Sequence, residues 1–219
     1  HSQYLIKKHG NDAKSRGVVL AYDVREFLGN KYLNDDLQNP VQHLTSKDLA
    51  NAAAETYAAN NIKVHLFSGI RTTPELSFAI RHLKAVAGDM FSASHNPPDH
   101  NGKKVYDEFG GQLIPPHDEK LTREVTEKVK EIQKMPFKTA VREGLVKDVA
   151  SEIDKKYLQA ATSVSLSKER DLKIVYTPLH GCGTTSVTHA LKSLGFDTLQ
   201  DPKTSNASGK FENIVFNIP

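Results

Sequence analysis

Apolar runs alternate with segments of helical period through the first 91 residues of the chain. Strand-like runs and helix-like segments succeed one another at 17–22, 47–59, 63–67, 74–84 and 85–91. Continuous apolar runs this short are typical of strands that are buried on both faces of a parallel sheet. The alternation therefore predicts an α/β fold built from βαβ units.

The starts of both predicted helices carry capping signals. Ser46 stands directly before the first helical segment, and we expect it to be the N-cap. Before the second, the segment Thr72-Thr73-Pro74-Glu75 combines the spacing of a capping box with a proline in the first turn. We therefore expect the second helix to begin at this segment.

The pattern is weaker beyond residue 103. Residues 104–106 form a short strand-like run, and 118–134 carry apolar residues at spacings of four, four and three. These apolar positions are Leu121, Val125, Val129 and Ile132. An apolar stripe of this kind predicts one amphipathic helix over 118–134 with its charged residues in solvent.

A domain boundary is predicted within residues 135–147, which have weak periodicity and contain Pro136 and Gly144. We place a first domain at 1–140 and the beginning of a second, incomplete domain at 141–219. The second domain is expected to contain, in order, a helix at 151–161, a strand at 172–177 and a helix at 184–194.

Composition narrows the classes of function. The formal net charge is only +3, and the 29 basic residues are interspersed with the 26 acidic ones, so a nucleic-acid surface is not indicated. The single cysteine, Cys182, excludes an internal disulfide, and no stretch near 18 apolar residues is present. We therefore expect a cytoplasmic protein that binds neither nucleic acid nor a membrane.

Residues 92–104 concentrate reactive side chains directly after the third apolar run. They include serine, histidine, asparagine, aspartate and lysine side chains, and Pro97 and Pro98 prevent the strand from continuing. Because α/β sheets bind ligands beyond the carboxyl ends of their strands, this loop is the candidate site. Residue chemistry alone leaves open a plain turn whose polar side chains bond only the local backbone.

Three other kinds of site are less well supported. Gly181-x-Gly183 follows a predicted strand, but Ser186 occupies the third position of the dinucleotide fingerprint and the expected acidic residue is missing. A serine hydrolase built on Ser94 lacks Gly-x-Ser-x-Gly. A zinc hydrolase lacks a His-x-x-x-His pair with an adjacent glutamate.

Several segments carry a shared pattern. Residues 92–97 are Ser-Ala-Ser-His-Asn-Pro, and 101–104 are Asn-Gly-Lys-Lys. Further segments of the pattern lie at 23–25 (Asp-Val-Arg), 73–81, 110–112 and 178–183. Together they resemble the phosphohexomutases, and residues 74–79 are most similar to the phosphoglucomutase and phosphopentomutase branch. The resemblance implies a three-layer fold with a mixed sheet between helices, followed by the start of a second, similar domain.

The resemblance also implies the catalytic residues. Ser94 would carry a phosphoryl group, pass it to the sugar phosphate to form a bisphosphate, and take the other phosphate back. Lys104, at the lysine of the family's Asn-Gly-x-Lys, would act as the general acid and base on the sugar hydroxyl. His95 would assist near the same hydroxyl.

Substrate and cofactor binding are implied in the same way. Arg25, Asn101 and Lys103 are the expected substrate-binding residues, and Lys103 is also a rival to its neighbour Lys104 as the general acid and base. The family's Mg²⁺ ion would bind the phosphate on Ser94, and glucose 1,6-bisphosphate would prime the serine. The resemblance implies a sugar phosphate as substrate, with glucose phosphate as the first expectation and mannose or pentose phosphates as alternatives. A non-catalytic sugar-phosphate-binding domain is the rival from another class.

The chain departs from the family in two respects. It contains no Asp-x-Asp, so the aspartates that hold Mg²⁺ in the family are absent, and residues 26–46 look like an insertion. We therefore expect an N-terminal fragment that needs the remaining domains of the enzyme and is inactive by itself.

Overall fold

The computed structural model describes residues 1–27 and 40–214. The strands are β1 Val18–Tyr22, β2 Val64–Leu66, β3 Ala87–Phe91, β4 Lys103–Asp107, β5 Val146–Asp148, β6 Lys173–Tyr176 and β7 Asp197–Gln200. The helices are α1 Ser2–His9, α2 Asn11–Arg16, α3 Ser46–Ala59, α4 Thr73–Leu83, α5 His117–Glu127, α6 Phe137–Arg142, α7 Ala150–Ser163 and α8 Val187–Ser193, with a 3₁₀ turn at Cys182–Thr185. Within the described residues, no helix has the length and apolar character needed to cross a membrane.

Five of the strands form a mixed sheet in the order β4-β3-β1-β2-β5. β1 pairs in parallel with both β2 and β3, and β5 pairs in parallel with β2. β4 runs antiparallel to β3. A parallel pair needs a long crossover, whereas the short loop between β3 and β4 reverses the chain directly. The predicted α/β class with a mixed sheet is confirmed.

Side chains of β1 alternate between two faces of the sheet and build a core on each. Val18 and Leu20 are buried in a cluster that includes residues of α3. Val19 and Ala21 are buried in a second cluster that includes residues of α4 and α7. Because successive strand residues point to opposite faces, the sheet lies between two helical layers. The three-layer architecture is therefore confirmed, and burying each large apolar side chain contributes roughly 1.5–3 kcal/mol.

The helix starts differ from the prediction in their caps. Thr45, and not Ser46, caps α3: its side chain accepts from the Asp48 amide, and the Asp48 carboxylate accepts from the Thr45 amide. An N-cap keeps an extended backbone, and Ser46 is already helical, which frees its hydroxyl for another partner. The capping box predicted for α4 is wrong, because Thr72 makes no side-chain capping bond.

The amphipathic helix predicted over 118–134 is shorter, since α5 ends at Glu127. Leu121 is buried, but Val125, Val129 and Ile132 are exposed. An apolar stripe stabilises a helix mainly where other elements cover it. Beyond residue 127 the described part of the chain leaves this stripe exposed, and the prediction for the last seven positions is wrong.

β5 and α7 lie beyond residue 140 but belong to the first sheet and its helical layer. β5 was not predicted from the sequence; it pairs with β2, and Ile153 of α7 is buried in the cluster that contains residues of α4. The first structural unit therefore extends past the predicted boundary. β6 and β7 form a separate, parallel two-stranded sheet, and we call the described residues from β6 to 214 the second unit.

The insertion expected at 26–46 falls mainly on residues 28–39, which lie outside the described residues. Its two ends meet, since the Phe27 amide donates to the Leu44 carbonyl at 2.9 Å. Residues 27 and 44, on either side of those positions, therefore lie next to each other.

Candidate active site

Ser94 lies in the loop that follows β3, at the carboxyl end of the strand. It has a left-handed backbone with φ of 57°, and its side chain is exposed. Both ends of the loop are held together, because the Ser92 amide donates to the Gly102 carbonyl at 2.9 Å. The Ser92 hydroxyl also accepts from the Ser94 amide at 3.1 Å. A non-glycine residue in this conformation costs about 1–3 kcal/mol and marks a backbone fixed by its surroundings.

Arg25 provides much of that support. Its Nη2 donates to the carbonyl of Ser94 at 2.7 Å and to the carbonyl of Asn96 at 2.6 Å, while Nη1 donates to Asp23. Arg25 is only 3% exposed. Its two terminal nitrogens are thus bound to protein acceptors, and the guanidinium holds the serine loop through two backbone carbonyls. Substrate binding by Arg25 stays a prediction.

A hydrogen-bond network extends from Asp23 to the far end of the loop. Asp23 Oδ1 accepts from the Ser46 hydroxyl at 2.6 Å, and Ser46 in turn accepts from Asn101 Nδ2 at 2.7 Å. Asn101 Oδ1 accepts from the Gly102 amide at 2.8 Å. The amide group of Asn101 therefore shapes the loop, and its predicted role in substrate binding is untested by these contacts. Ser46 was missed because it was interpreted as a helix cap.

Lys103 and Lys104 lie on opposite faces of β4. Lys103 Nζ is 2.9 Å from the carboxylate of fully buried Asp89 and donates to the Tyr57 hydroxyl at 3.3 Å. Lys104 is paired with Met90, which lines the cleft above the serine loop. The two residues of such an antiparallel pair share one face of the sheet. Lys104 therefore lies on the face that leads to the cleft, and Lys103 does not.

Tyr57, which contacts both Lys103 and Asp89, has a perturbed pKa. Burial, and then the Asp89 carboxylate that accepts from the phenol at 2.6 Å, raise the pKa of Tyr57 well above 10. The phenol therefore remains a hydrogen-bond donor at neutral pH and helps Lys103 to satisfy Asp89.

A cleft of about 270 Å³ joins the serine loop to the second unit. Of the predicted site residues, it brings together Arg25, Ser94 and His95. Lys103, Lys104 and Asn101 are not among its lining residues. The other lining residues were not predicted as site residues; they are Asp23, Val24, Arg71 to Pro74, Met90, Ser92, Gly181 to Gly183 and Phe211. A larger cavity of about 480 Å³ lies beside His1 and Tyr57 and does not include the serine loop.

Two of the missed residues have well-defined surroundings. Arg71 is buried and binds Asp154 of α7 through Nε at 2.8 Å and Nη2 at 2.7 Å. Burial raises the pKa of Cys182 to about 12, so its thiol is neutral and a poor nucleophile. Arg71 thus links the cleft to α7, and Ser94 is the better candidate for covalent chemistry.

The described residues offer few ligands for the Mg²⁺ ion that the family resemblance implies. Among them, no three His, Cys, Asp or Glu side chains converge into a group that could hold a metal ion. Asp23 is the carboxylate that lines the cleft, and it already accepts from Arg25 and Ser46. Mg²⁺ prefers about six oxygen ligands. These residues alone do not meet that requirement, and Mg²⁺ stays a prediction.

The chain has similar proteins among the sugar phosphomutases. A phosphoglucomutase of Staphylococcus epidermidis is 36% identical over 178 residues, which are 77% of this chain and 32% of that protein. A phosphopentomutase of Homo sapiens is 31% identical over 198 residues, covering 86% of this chain and 30% of that protein. A glucose 1,6-bisphosphate synthase of Mus musculus is 34% identical over 191 residues, which are 85% of this chain and 29% of that protein. The chain thus spans about a third of the length of these relatives.

Solved structures share the fold. A phosphoglucomutase/phosphomannomutase family protein from Burkholderia thailandensis has a TM-score of 0.66 at 19% identity, covering 97% of this chain and 41% of that chain. The open form of parafusin, a phosphoglucomutase from Paramecium, has a TM-score of 0.62 at 17% identity. The match covers 96% of this chain and 40% of the parafusin chain. At these identities the likeness concerns the fold alone.

The family match includes the serine loop. Residues 42–131 match the family described as phosphoglucomutase/phosphomannomutase, alpha/beta/alpha domain I. This segment contains the exposed Ser94 and both strands that flank its loop. With the relatives aligned over most of its length, the chain belongs to the phosphoglucomutase/phosphomannomutase family.

Proposed function

We propose that this chain is the phosphoserine-bearing part of a phosphoglucomutase, which interconverts glucose 1-phosphate and glucose 6-phosphate through a bisphosphate intermediate. The observation that carries the proposal is Ser94, an exposed hydroxyl on a left-handed backbone, held by a buried arginine at the mouth of a cleft in a member of this family. A serine phosphomonoester is stable in water, yet it transfers once neighbouring groups stabilise its charge. The proposed location is the cytoplasm.

In the proposed reaction, the bond between Ser94 Oγ and phosphorus breaks as a sugar hydroxyl forms a new bond to the phosphorus. The hydroxyl proton passes to Lys104 Nζ and from there to the released Ser94 oxygen, which leaves as a hydroxyl, and the reverse step runs the same transfers backwards. His95 lines the cleft beside Ser94 and would contact the same hydroxyl. Arg25 keeps the serine in line by fixing the carbonyls on both sides of His95.

Glucose phosphate is the proposed substrate because the relatives include proteins named phosphoglucomutase and glucose 1,6-bisphosphate synthase. We also propose glucose 1,6-bisphosphate as the phosphoryl donor that first loads Ser94. A pentose phosphate is the second candidate, since a relative of similar identity is named phosphopentomutase. Comparing turnover of glucose 1-phosphate, mannose 1-phosphate and ribose 1-phosphate by the whole protein distinguishes these substrates.

The test of the phosphoserine uses Ser94→Ala in the whole protein that contains this chain. Wild type is expected to gain about 80 Da, one phosphoryl group, after incubation with glucose 1,6-bisphosphate, and Ser94→Ala is expected to gain none and to lose turnover. Ser193→Ala, an exposed serine in α8, is the matched control and keeps both properties. Mutase turnover that persists in Ser94→Ala would refute the proposed mechanism.

A further inference from the structure

The second unit covers the arginine that holds the serine loop. The ring of Phe211 lies 5.5 Å from the Arg25 guanidinium carbon. Phe211 is 1% exposed, so this contact is buried at the edge of the cleft. An aromatic face attracts a guanidinium and excludes water from it, which strengthens the hydrogen bonds that the same group donates.

The segment that carries Phe211 approaches the loop after β1 with its backbone. A Cβ atom at Gly209 would lie 2.6 Å from the Val24 carbonyl oxygen and 2.9 Å from the Glu26 amide nitrogen. These partners are backbone atoms and cannot rotate away. Glycine is therefore required at position 209 for residues 204–211 to sit this close to Arg25.

His180 holds residues 204–211 in shape from within the second unit. Its amide donates to the Thr204 carbonyl at 2.9 Å, its carbonyl accepts from the Ser208 amide at 3.0 Å, and its Nδ1 lies 2.8 Å from the Asn206 carbonyl. His180 is buried and has a left-handed φ of 64°, and Phe211 has a φ of 49°. Such conformations persist only where the surrounding contacts determine them.

We propose that residues 204–211 form a brace, held by His180, and that Phe211 is a positioning residue that acts on Ser94 through Arg25. The brace belongs to the second unit, while Arg25 and Ser94 belong to the first. When the brace is in place, the guanidinium is kept against the carbonyls of Ser94 and Asn96, and the serine keeps its orientation toward the cleft. The catalytic part of this inference rests on the proposed mutase function.

The test compares Phe211→Leu with Phe211→Tyr in the whole protein. Phe211→Leu keeps an apolar side chain but removes the ring, and we expect kcat to fall by about 10- to 100-fold, the range for a misplaced reacting group, with KM changed by less than about twofold. Phe211→Tyr keeps the ring and is expected to restore most of the rate. Phe109→Leu, the same change at an exposed phenylalanine outside the cleft, is the matched control.

Hydrogen exchange tests the brace without relying on activity. In Phe211→Leu the amides of residues 94–96 are expected to exchange about tenfold faster or more, while those of α3 stay unchanged. Unchanged exchange at 94–96, or faster exchange in α3 as well, would overturn the inference. An inactive wild type with the expected exchange pattern would refute the mutase function and leave the brace supported.

Discussion

At the scale of single residues, the two neighbouring lysines of β4 have different surroundings. Lys103 Nζ lies 2.9 Å from Asp89, whereas Lys104 lies on the face of Met90 and the cleft. Asp89 is fully buried, so its charge needs a partner, and Lys103 with the Tyr57 hydroxyl supplies the donors. From these surroundings we propose that Lys104 acts on the substrate and that Lys103 stabilises the fold.

Lys104→Met in the whole protein is expected to lower kcat by about two to four orders of magnitude, the range for a general acid and base. Lys103→Met is expected to lower the rate by less than about tenfold, because this side chain faces the opposite layer. It should instead lower the free energy of unfolding by about 1–3 kcal/mol, since Asp89 loses its cation. Steady-state kinetics measure kcat of both variants, and urea unfolding measures their free energies of unfolding. A large rate loss in Lys103→Met with a near-normal Lys104→Met would contradict the assignment.

At the scale of elements, a partly buried ionic group connects α4 and α7. Glu75, in the first turn of α4, is 1% exposed and lies 3.6 Å from Arg71, which binds Asp154 of α7. The other Glu75 oxygen, Oε2, has no hydrogen-bond partner among the described residues. Tyr157 and His189 also face the small cavity beside Glu75. Burial raises the pKa of Glu75 to about 7, against the opposing effect of Arg71.

This pKa predicts a pH dependence of stability. A carboxyl group whose pKa is higher in the folded than in the unfolded state stabilises the fold while it is protonated. The contribution is fully present below the unfolded value of 4.5 and is lost as the pH rises to about 7. Its size is at most about 3.5 kcal/mol, since each pKa unit corresponds to about 1.4 kcal/mol.

The measurement is the unfolding free energy of wild type and Glu75→Gln between pH 4.5 and 8. The difference between the two proteins should change by about 1–3 kcal/mol across this range, with wild type losing more stability as the pH rises. Glu119→Gln, at an exposed position of α5, is the control and should leave the wild-type profile unaltered. Parallel profiles for wild type and Glu75→Gln would contradict the pKa assignment.

At the scale of the whole molecule, the cleft is built from two units. The first unit supplies the serine loop and Arg25, and the second supplies Gly181 to Gly183 and Phe211. Phosphoryl transfer also requires the substrate's distant phosphate to be held, so that the sugar hydroxyl stays in line with Ser94. The chain spans about a third of the length of its relatives. We therefore propose that the 219-residue chain by itself is a poor catalyst.

The purified chain is expected to turn over glucose 1-phosphate at least about 1,000-fold more slowly than an intact mutase, because we propose that the groups that hold the distant phosphate belong to parts of the relatives that this chain does not span. It should bind Mg²⁺ more weakly than about 1 mM, because its described residues gather no three suitable side chains. A coupled assay with glucose 1,6-bisphosphate and Mg²⁺, together with isothermal titration of Mg²⁺, measures both quantities. Turnover close to that of an intact mutase would show that this chain contains the whole active site.

Local sequence determined the central elements and the place of the serine. β1, β2 and β3 lie within the predicted strands, and α3 and α4 lie within one residue of the predicted helices. Each of these segments combines a clear apolar period with turn residues at its ends, so nearby residues suffice to define it. The position of Ser94 after β3 follows from the prolines that end the strand.

Only the tertiary structure decided the remaining features, because they depend on partners distant in sequence. β5 has three residues, two of them charged, and becomes a strand by pairing with β2, which lies some 80 positions earlier. α5 stops where none of the described elements covers its apolar stripe. Likewise, Ser46 and Phe211 join the site through contacts with Asp23 and Arg25. Sequence periodicity reports which face of an element is apolar, but it does not report what the fold places against that face.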